Sequence, residues 1–469
     1  ADFTLSANGP TPISGAGGAT SDATFAAGTY DLSETTVPGY TASDWSCVGG
    51  NQTDSDTVQV GLGDDVTCTI TNNDDAPSLT LVKVVVNDNG GTATAAQWTL
   101  TATGPTGFSG AGPSVSSDAD FDAGTYALSE NGPTSYTASD WACSGGTQNG
   151  NNVTLELGES ATCTITNDDN APSLTLVKIV VNDNGGTSTE ADFTLTATGP
   201  TGFSGDGPSV SNGTSFDAGT YDLSESGPAG YSASDWVCVG GTQDDEDTIT
   251  LGLGESATCT ITNDDQEPSL TLVKEVVNND GGDAVASNWT LTAMGPTGFA
   301  GPGPSVSNGA SFDAGTYTLS ENGPTGYTAS AWSCVGGTQN GNEITVANGE
   351  SATCTITNDD VAPTLKLVKV VNNDNGGNAV ADDWVLYAVA TAPNDGRNFS
   401  NLGGSGDFET IYANTPYDLS ESMVAGYTAG SWICDGGTLV DSTITLGEGE
   451  ARARPQLWLI DLDGVQTWQ

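Results

Sequence analysis

The stretch Ser78-Leu79-Thr80-Leu81-Val82-Lys83 decides how this chain is read, because it comes back. The same six residues start again at Ser173 and Ser269, and the variant TLKLVK starts at Thr364. The starts are 95, 96 and 95 residues apart. A second marker, DFTLSANGP from Asp2, returns as QWTLTATGP from Gln97, DFTLTATGP from Asp192 and NWTLTAMGP from Asn288. It recurs in drifted form as DWVLYAVAT from Asp383. A period of this size is a domain, not a solenoid turn of about 20–50 residues. A unit of about 95 residues can bury a modest core of its own. The 469 residues therefore read as five tandem domains, 1–76, 77–171, 172–267, 268–362 and 363–469.

Inside a unit, short stretches rich in Thr, Val, Leu and Tyr alternate with Gly, Pro, Asn and Asp, the pattern of an all-β domain. VNDNGG (86–91), GPTG (104–107), DAGT (122–125) and TQNGNN (147–152) read as turns, the last with an Asn-Gly hairpin signal. No stretch keeps a helical period for ten residues, and about seven strands per unit predict a β-sandwich. Boundaries fall at NDDAP (73–77), NDDNAP (167–172), NDDQEP (263–268) and NDDVAP (358–363), read as short acidic joints stiffened by proline. The ends are irregular. Unit one lacks the SLTLVK strand, and unit five ends in ARARPQLWLIDLDGVQTWQ (451–469), where its siblings read SATCTITNDD. The expectation is a fragment of a longer protein with a foreign or frame-shifted C-terminus.

Composition removes whole classes of function. There are 60 acids against 8 bases and no histidine, for a net charge of −52. A nucleic-acid binder needs a basic footprint, which is missing. Without histidine there is no imidazole base, no His-ligated zinc and no Ser-His or Cys-His pair. An anionic membrane would repel the chain, and no apolar run reaches the roughly 18 residues of a spanning helix. No direct membrane insertion is expected, and a conventional enzyme is not either.

Eight of nine cysteines pair by position, as Cys47 with Cys68, Cys143 with Cys163, Cys238 with Cys259, and Cys334 with Cys354. Each pair occurs as Trp-x-Cys followed 20 or 21 residues later by Thr-Cys-Thr-Ile-Thr-Asn. Neighbouring strands joined by a hairpin would place such a pair for a disulfide, and disulfides imply an exported protein. Reduced thiols in a cytosolic protein are the other reading, and two cysteines without histidine do not complete a zinc site. Cys434 is left over, with Arg454 at its expected partner position.

Four of the five lysines, Lys83, Lys178, Lys274 and Lys369, occupy one repeat position, and the fifth is Lys366. In a β-strand alternate residues share a face. Lys83 therefore lies with Leu79, Leu81 and Val85, Glu130 with Tyr126 and Leu128, and Asn167 with Cys163 and Ile165. All three polar groups fall on the apolar face of their strand. Lone buried charges are costly, so the three are expected to meet.

The stretches GTYDLSESGPAGY (219–231) and GTYTLSENGPTGY (315–327), with TCTITN after them and SLTLVK before, resemble Cna protein B-type domains. These are also called SpaA-type or prealbumin-like domains of bacterial surface proteins and pilins. The resemblance runs over nearly the whole chain as five copies and implies prealbumin-like (CnaB-like, Ig-like) β-sandwiches. It also implies a self-formed isopeptide bond, in which a first-strand Lys attacks a last-strand Asn while a central acid assists. By position the triads are Lys83, Glu130 and Asn167; Lys178, Glu225 and Asn263; and Lys274, Glu321 and Asn358. Unit one has Glu34 and Asn72 without a lysine. Unit five has Lys369 and Glu421, but Trp458 where Asn belongs. Desolvation disfavours the charged forms of Lys and Glu, which suits a neutral amine nucleophile and a proton-carrying acid. A buried Lys–Glu ion pair without a covalent bond, and an exposed lysine, remain the alternatives.

The loop Asn87-Asp88-Asn89-Gly90-Gly91 and its copies, with the NDD segments, offer oxygens to calcium. Asn, Asp and Gly are equally ordinary turn formers, so no cofactor is assigned. The aromatics at 3, 98, 193, 289 and 384 recur once per unit and read as core, with a sugar platform as the alternative. The sequons at Asn51, Asn152, Asn212, Asn288 and Asn398 are expected by chance in an Asn- and Thr-rich chain. The function expected is a structural stalk or adhesin shaft on a bacterial cell surface. Its partners would be neighbouring domains of a longer protein and an extracellular protein or glycan. The alternative is an array of binding modules acting through avidity.

Overall fold

A computed structural model describes residues 2–392, 395–404 and 406–450. They form two compact units. The first comprises the described residues among 1–177, 194–225 and 235–260, and the second those among 178–193, 226–234 and 261–450, so the third repeat contributes to both.

In the first unit, repeat two shows the architecture in full. One sheet runs Ser114–Ser116, Ser78–Val86, Ser160–Asp169 and Tyr136–Ala138 in spatial order, with Ala142–Ser144 also pairing the Ser160–Asp169 strand. The other runs Phe108–Ala111, Thr99–Thr103, Gly124–Asn131, Asn152–Leu155 and Thr147–Asn149. The long strands alternate buried and outward residues. The last strand buries Ala161, Cys163 and Ile165 and turns Thr162, Thr164 and Thr166 outward or to the margin. Between the sheets lie Leu79, Leu81, Trp98, Leu100, Tyr126, Leu128, Trp141, Val153 and Ile165. In the second unit, repeat four has the same two sheets and an equivalent core around Leu270, Leu291, Tyr317 and Trp332. Among the described residues the only helices are three-residue 3-10 turns.

The first and last strands are neighbours in space and pair in parallel, Ser78 opposite Ser160 through Val86 opposite Asp168. Repeat four repeats this register from Ser269 opposite Ser351 to Val277 opposite Asp359. In repeat one the described residues include no first strand. The segment that is one ten-residue strand elsewhere is there split into Thr67–Thr69 and Asn72–Asp74. In repeats two and four the last strand is continuous beside its parallel neighbour.

Two details depart from the sequence reading. The NDD residues belong to the last strand and not to the joint, because the inward alternation continues through Asn167 to Asp169. The joint itself is Asn170–Pro172, and its proline is buried. The disulfides Cys47–Cys68, Cys143–Cys163, Cys238–Cys259 and Cys334–Cys354 are all present. Their strands are direct antiparallel neighbours, Cys143 opposite Cys163, yet no simple hairpin joins them. The intervening chain crosses to the other sheet and forms the Thr147–Leu155 hairpin there, turning at Gly150. Cys434 is a free, half-buried thiol, and burial pushes its pKa up. Its expected partner position, like that of Trp458, lies outside the described residues.

Candidate crosslinking site

Lys83 enters the core because it has the parity of Leu79 and Leu81 on the first strand, and it is 3% exposed. Gly112 packs closely against the strand at Lys83 and against the Ala95 backbone. A Cβ there would lie 3.1 Å from the Lys83 Cβ and 2.4 Å from the Ala95 carbonyl oxygen. Gly303 stands in the same relation to Lys274, and Gly403 to Lys369. The strand Gly124–Asn131 brings Glu130 in from the opposite sheet on the face of Tyr126 and Leu128. Lys83 Nζ lies 2.7 Å from Glu130 Oε2, and none of its side chain reaches solvent. The ammonium also sits 4.7 Å from the centre of the Trp98 ring, whose negative face favours a cation.

Asn167 is on the neighbouring strand and the same face, one diagonal step away, since Lys83 is opposite Ile165 and Val85 is opposite Asn167. It is 3% exposed, and its Oδ1 has no hydrogen-bond partner. Repeat four reproduces the arrangement. Lys274 Nζ is 2.8 Å from Glu321 Oε2 and 4.8 Å from the Trp289 ring, and the Asn358 Oδ1 is buried and unpartnered. In repeat three, Lys178 and Asn263 belong to the second unit and Glu225 to the first. Lys178 is buried 4.4 Å from the Phe193 ring, and the Asn263 Oδ1 is again unpartnered.

The end repeats show the two halves of the site separately. In repeat one, without a lysine, the Asn72 Nδ2 donates to Glu34 Oε2 at 2.9 Å. In repeat five, Lys369 Nζ lies 2.5 Å from Glu421 Oε2, with both side chains more exposed than in repeats two and four. The acid thus reaches the carboxamide in repeat one and the amine in repeats two, four and five.

Burial lowers the pKa of Lys83 and Lys274, and the hydrogen-bonding and charge of Glu130 and Glu321 oppose it. The net direction is toward the neutral amine. Such an amine can attack the Asn Cγ, so that an Nζ–Cγ bond forms, the Cγ–Nδ2 bond breaks, and the NH2 group leaves as ammonia with the one proton shed by the lysine nitrogen. The acid is placed to carry that proton. Packing supplies the proximity.

The sequence reading missed a second buried acid. Asp169, two residues beyond Asn167 on the same face, is 4% exposed and accepts backbone N–H bonds from Asp88, Asn89 and Gly91. Parity was the available signal, since Cys163, Ile165, Asn167 and Asp169 form one inward row. Asp88, Asp168 and Asp169 hold carboxylate oxygens within 4.8 Å of one another, as do Asp183, Asp264 and Asp265. The Asp88 carboxyl is pushed up by burial and by the charges of Asp168 and Asp169. Both oxygens of Asp169 already accept backbone hydrogen bonds, an arrangement of a loop anchor.

Four of the five recurrent aromatics are core, whereas Phe3 of repeat one is only half-buried, against Tyr40. Trp98, Phe193, Trp289 and Trp384 are 1–2% exposed. Among the described residues no helix is long and apolar enough to cross a membrane.

The chain is similar to known proteins chiefly through one family. The model of the SpaA-type prealbumin-like fold domain matches residues 1–70, 74–165, 169–261, 265–356 and 360–453. Among curated proteins nothing matches. Solved structures similar to the chain include the Bacillus anthracis TIE protein, at 14% identity and a TM-score of 0.39, with 90% of this chain and 69% of that one covered. Two B repeat units of the collagen binding protein of Staphylococcus aureus match at 14% identity and a TM-score of 0.20, over 76% and 95% of the two chains. The pilus adhesin SpaC of Lactobacillus rhamnosus GG matches at 10% identity and a TM-score of 0.22, over 77% and 57%. The five matches of the family model, one per repeat, show that the chain belongs to the SpaA-type prealbumin-like fold domain family.

Proposed function

We propose that this chain is the shaft region of a secreted or cell-surface bacterial protein, built to carry tension and not to catalyse external chemistry. Its repeats are taken as 1–76, 77–171, 172–267, 268–362 and 363–469. The observation that carries the reading is the buried Lys83–Glu130 pair set one diagonal step from an unpartnered Asn167 carbonyl, between the first and last strands. A Lys83–Asn167 isopeptide bond would tie those two strands covalently. Force along a tandem array enters a repeat near one of them and leaves near the other, so the tie would bypass the hydrogen-bonded core. Lys178–Asn263 and Lys274–Asn358 are the equivalent bonds, with Glu225 and Glu321 as assisting acids.

Four intradomain disulfides fit an oxidising location outside the cytoplasm. The partners proposed are adjoining domains of a longer surface protein and an extracellular protein or glycan. An avidity array is less well supported. The once-per-repeat aromatics of repeats two to five are buried, and the exposed aromatics Tyr40, Tyr387 and Phe408 form no recurrent row among the described residues. Proteolysis with peptide mass spectrometry tests the crosslink. Branched peptides joining Lys83 to Asn167 and Lys274 to Asn358 are expected, and linear peptides with free Lys83 and intact Asn167 would sink the proposal.

A further inference from the structure

We infer that Asp169, Asp265 and Asp360 are the positioning residues of the joints, each shaping a loop that grips the following repeat. Asp169 Oδ1 accepts the N–H groups of Asp88 and Asn89 at 3.0 and 3.1 Å. Its Oδ2 accepts those of Asn89 and Gly91 at 3.0 and 2.6 Å. A buried carboxylate satisfied by backbone donors fixes the loop that presents them. The fixed loop turns the Asn89 carbonyl outward, where it accepts the Ala218 N–H of repeat three at 2.8 Å.

The device recurs in the second unit. Asp265 holds the N–H groups of Asp183, Asn184 and Gly186, and the Asn184 carbonyl accepts the Ala314 N–H of repeat four at 2.7 Å. Asp360 holds those of Asn279, Asp280 and Gly282, and the Asp280 carbonyl accepts the Ala413 N–H of repeat five at 2.7 Å. At that last joint the Asp280 side chain also pairs with Arg397. The glycine of each loop is needed twice over. Gly90 has φ +87°, and a Cβ on it would lie 2.8 Å from both N and O of Ala218.

A second contact makes the grip a two-point one. The linker residue Asn170 donates its N–H to the Ser135 carbonyl of its own repeat and accepts the Gly254 N–H of the next. Gln266 does the same between Gly230 and Gly349. One bond could act as a hinge, whereas two separated ones resist rotation about either. The partner surface for this loop is the Phe-Asp-Ala-Gly segment of a following repeat (Phe216–Gly219, Phe312–Gly315). The inference stands on the joints alone and holds whether or not the lysines are crosslinked.

Hydrogen exchange of the full chain, read by mass spectrometry, tests it. Asp169→Asn keeps the size of the side chain but sets an NH2 against backbone donors. Gly90→Ala attacks the same joint from the loop tip without touching the core of repeat two. Each should speed exchange at the Ala218 amide, in the next repeat, by roughly two- to tenfold, the loss of about one net hydrogen bond. Strand amides at 124–131 of repeat two should stay protected. If Asp169→Asn also exposes 124–131, repeat two has opened as a whole and Gly90→Ala decides. Unchanged exchange at Ala218 in Gly90→Ala, or in a still-protected Asp169→Asn, would overturn the inference.

Discussion

Lys83 and Glu130 are 47 residues apart in sequence, yet Nζ and Oε2 meet at 2.7 Å between two sheets, over the face of Trp98. Each arrives there by strand parity alone, from opposite sides of the sandwich. Removing one partner of a buried pair leaves the other uncompensated. Glu130→Ala should therefore leave repeat two without its crosslink and destabilise it by about 3 kcal/mol or more. The chain should be heavier by one ammonia than the substitution alone explains. Intact mass and thermal melting check the two effects separately.

Lys83→Met removes the nucleophile and the buried charge together. Packing is largely kept, so the loss should come mainly from the missing covalent tie. A bond closing a loop of about 85 residues is worth roughly 4–5 kcal/mol on the chain-entropy model. Denaturant unfolding should show repeat two opening earlier, while repeat four is unchanged. A variant as stable as the parent would mean the parent carried no tie.

Crosslinking should be faster at higher pH. Burial lowers the folded-state pKa of Lys83 and Lys274. The folded repeat therefore binds fewer protons than the unfolded chain between that lowered value and the ordinary lysine value of 10.5. Stability of the uncrosslinked fold consequently rises with pH across this window, and so does the neutral-amine fraction. Chain kept in denaturant from its synthesis onward, so that Asn167 and Asn358 are still carboxamides, and then refolded at stepped pH with ammonia release as the readout, should show rates climbing toward that window. A rate that falls as pH rises would oppose a neutral-amine nucleophile.

Only Cys434 should react with an alkylating reagent before reduction. Its raised pKa keeps the thiolate scarce, so native labelling should be slow at neutral pH and quicken in alkali. Replacing Cys143 and Cys163 together by Ala opens a link of sequence separation 20 and should cost repeat two about 3 kcal/mol. Labelling of several cysteines in the unreduced chain would contradict an exported, disulfide-bonded protein.

What the sequence made legible was whatever alternation and spacing encode. Leu79, Leu81 and Lys83 share a face because strands have period two, and Cys163, Ile165 and Asn167 do so for the same reason. The cysteine pairs followed from recurrence. Asp169 was hidden because an Asn-Asp-Asp run before a proline looks like a solvated joint, and turn chemistry outweighed parity. Its partners are backbone N–H groups of Asp88, Asn89 and Gly91, which leave no side-chain signature. The route between Cys143 and Cys163 was equally unreadable, since spacing reports a pair but not which sheet the chain visits in between.

The most direct test of the central claim is the intact mass of the full chain under denaturing conditions. The account predicts a deficit of one ammonia for each of Lys83–Asn167, Lys178–Asn263 and Lys274–Asn358, beyond the two hydrogens lost to each of four disulfides. A deficit equal to the disulfide hydrogens alone would mean that the lysines are only ion-paired, and it would contradict the covalent shaft.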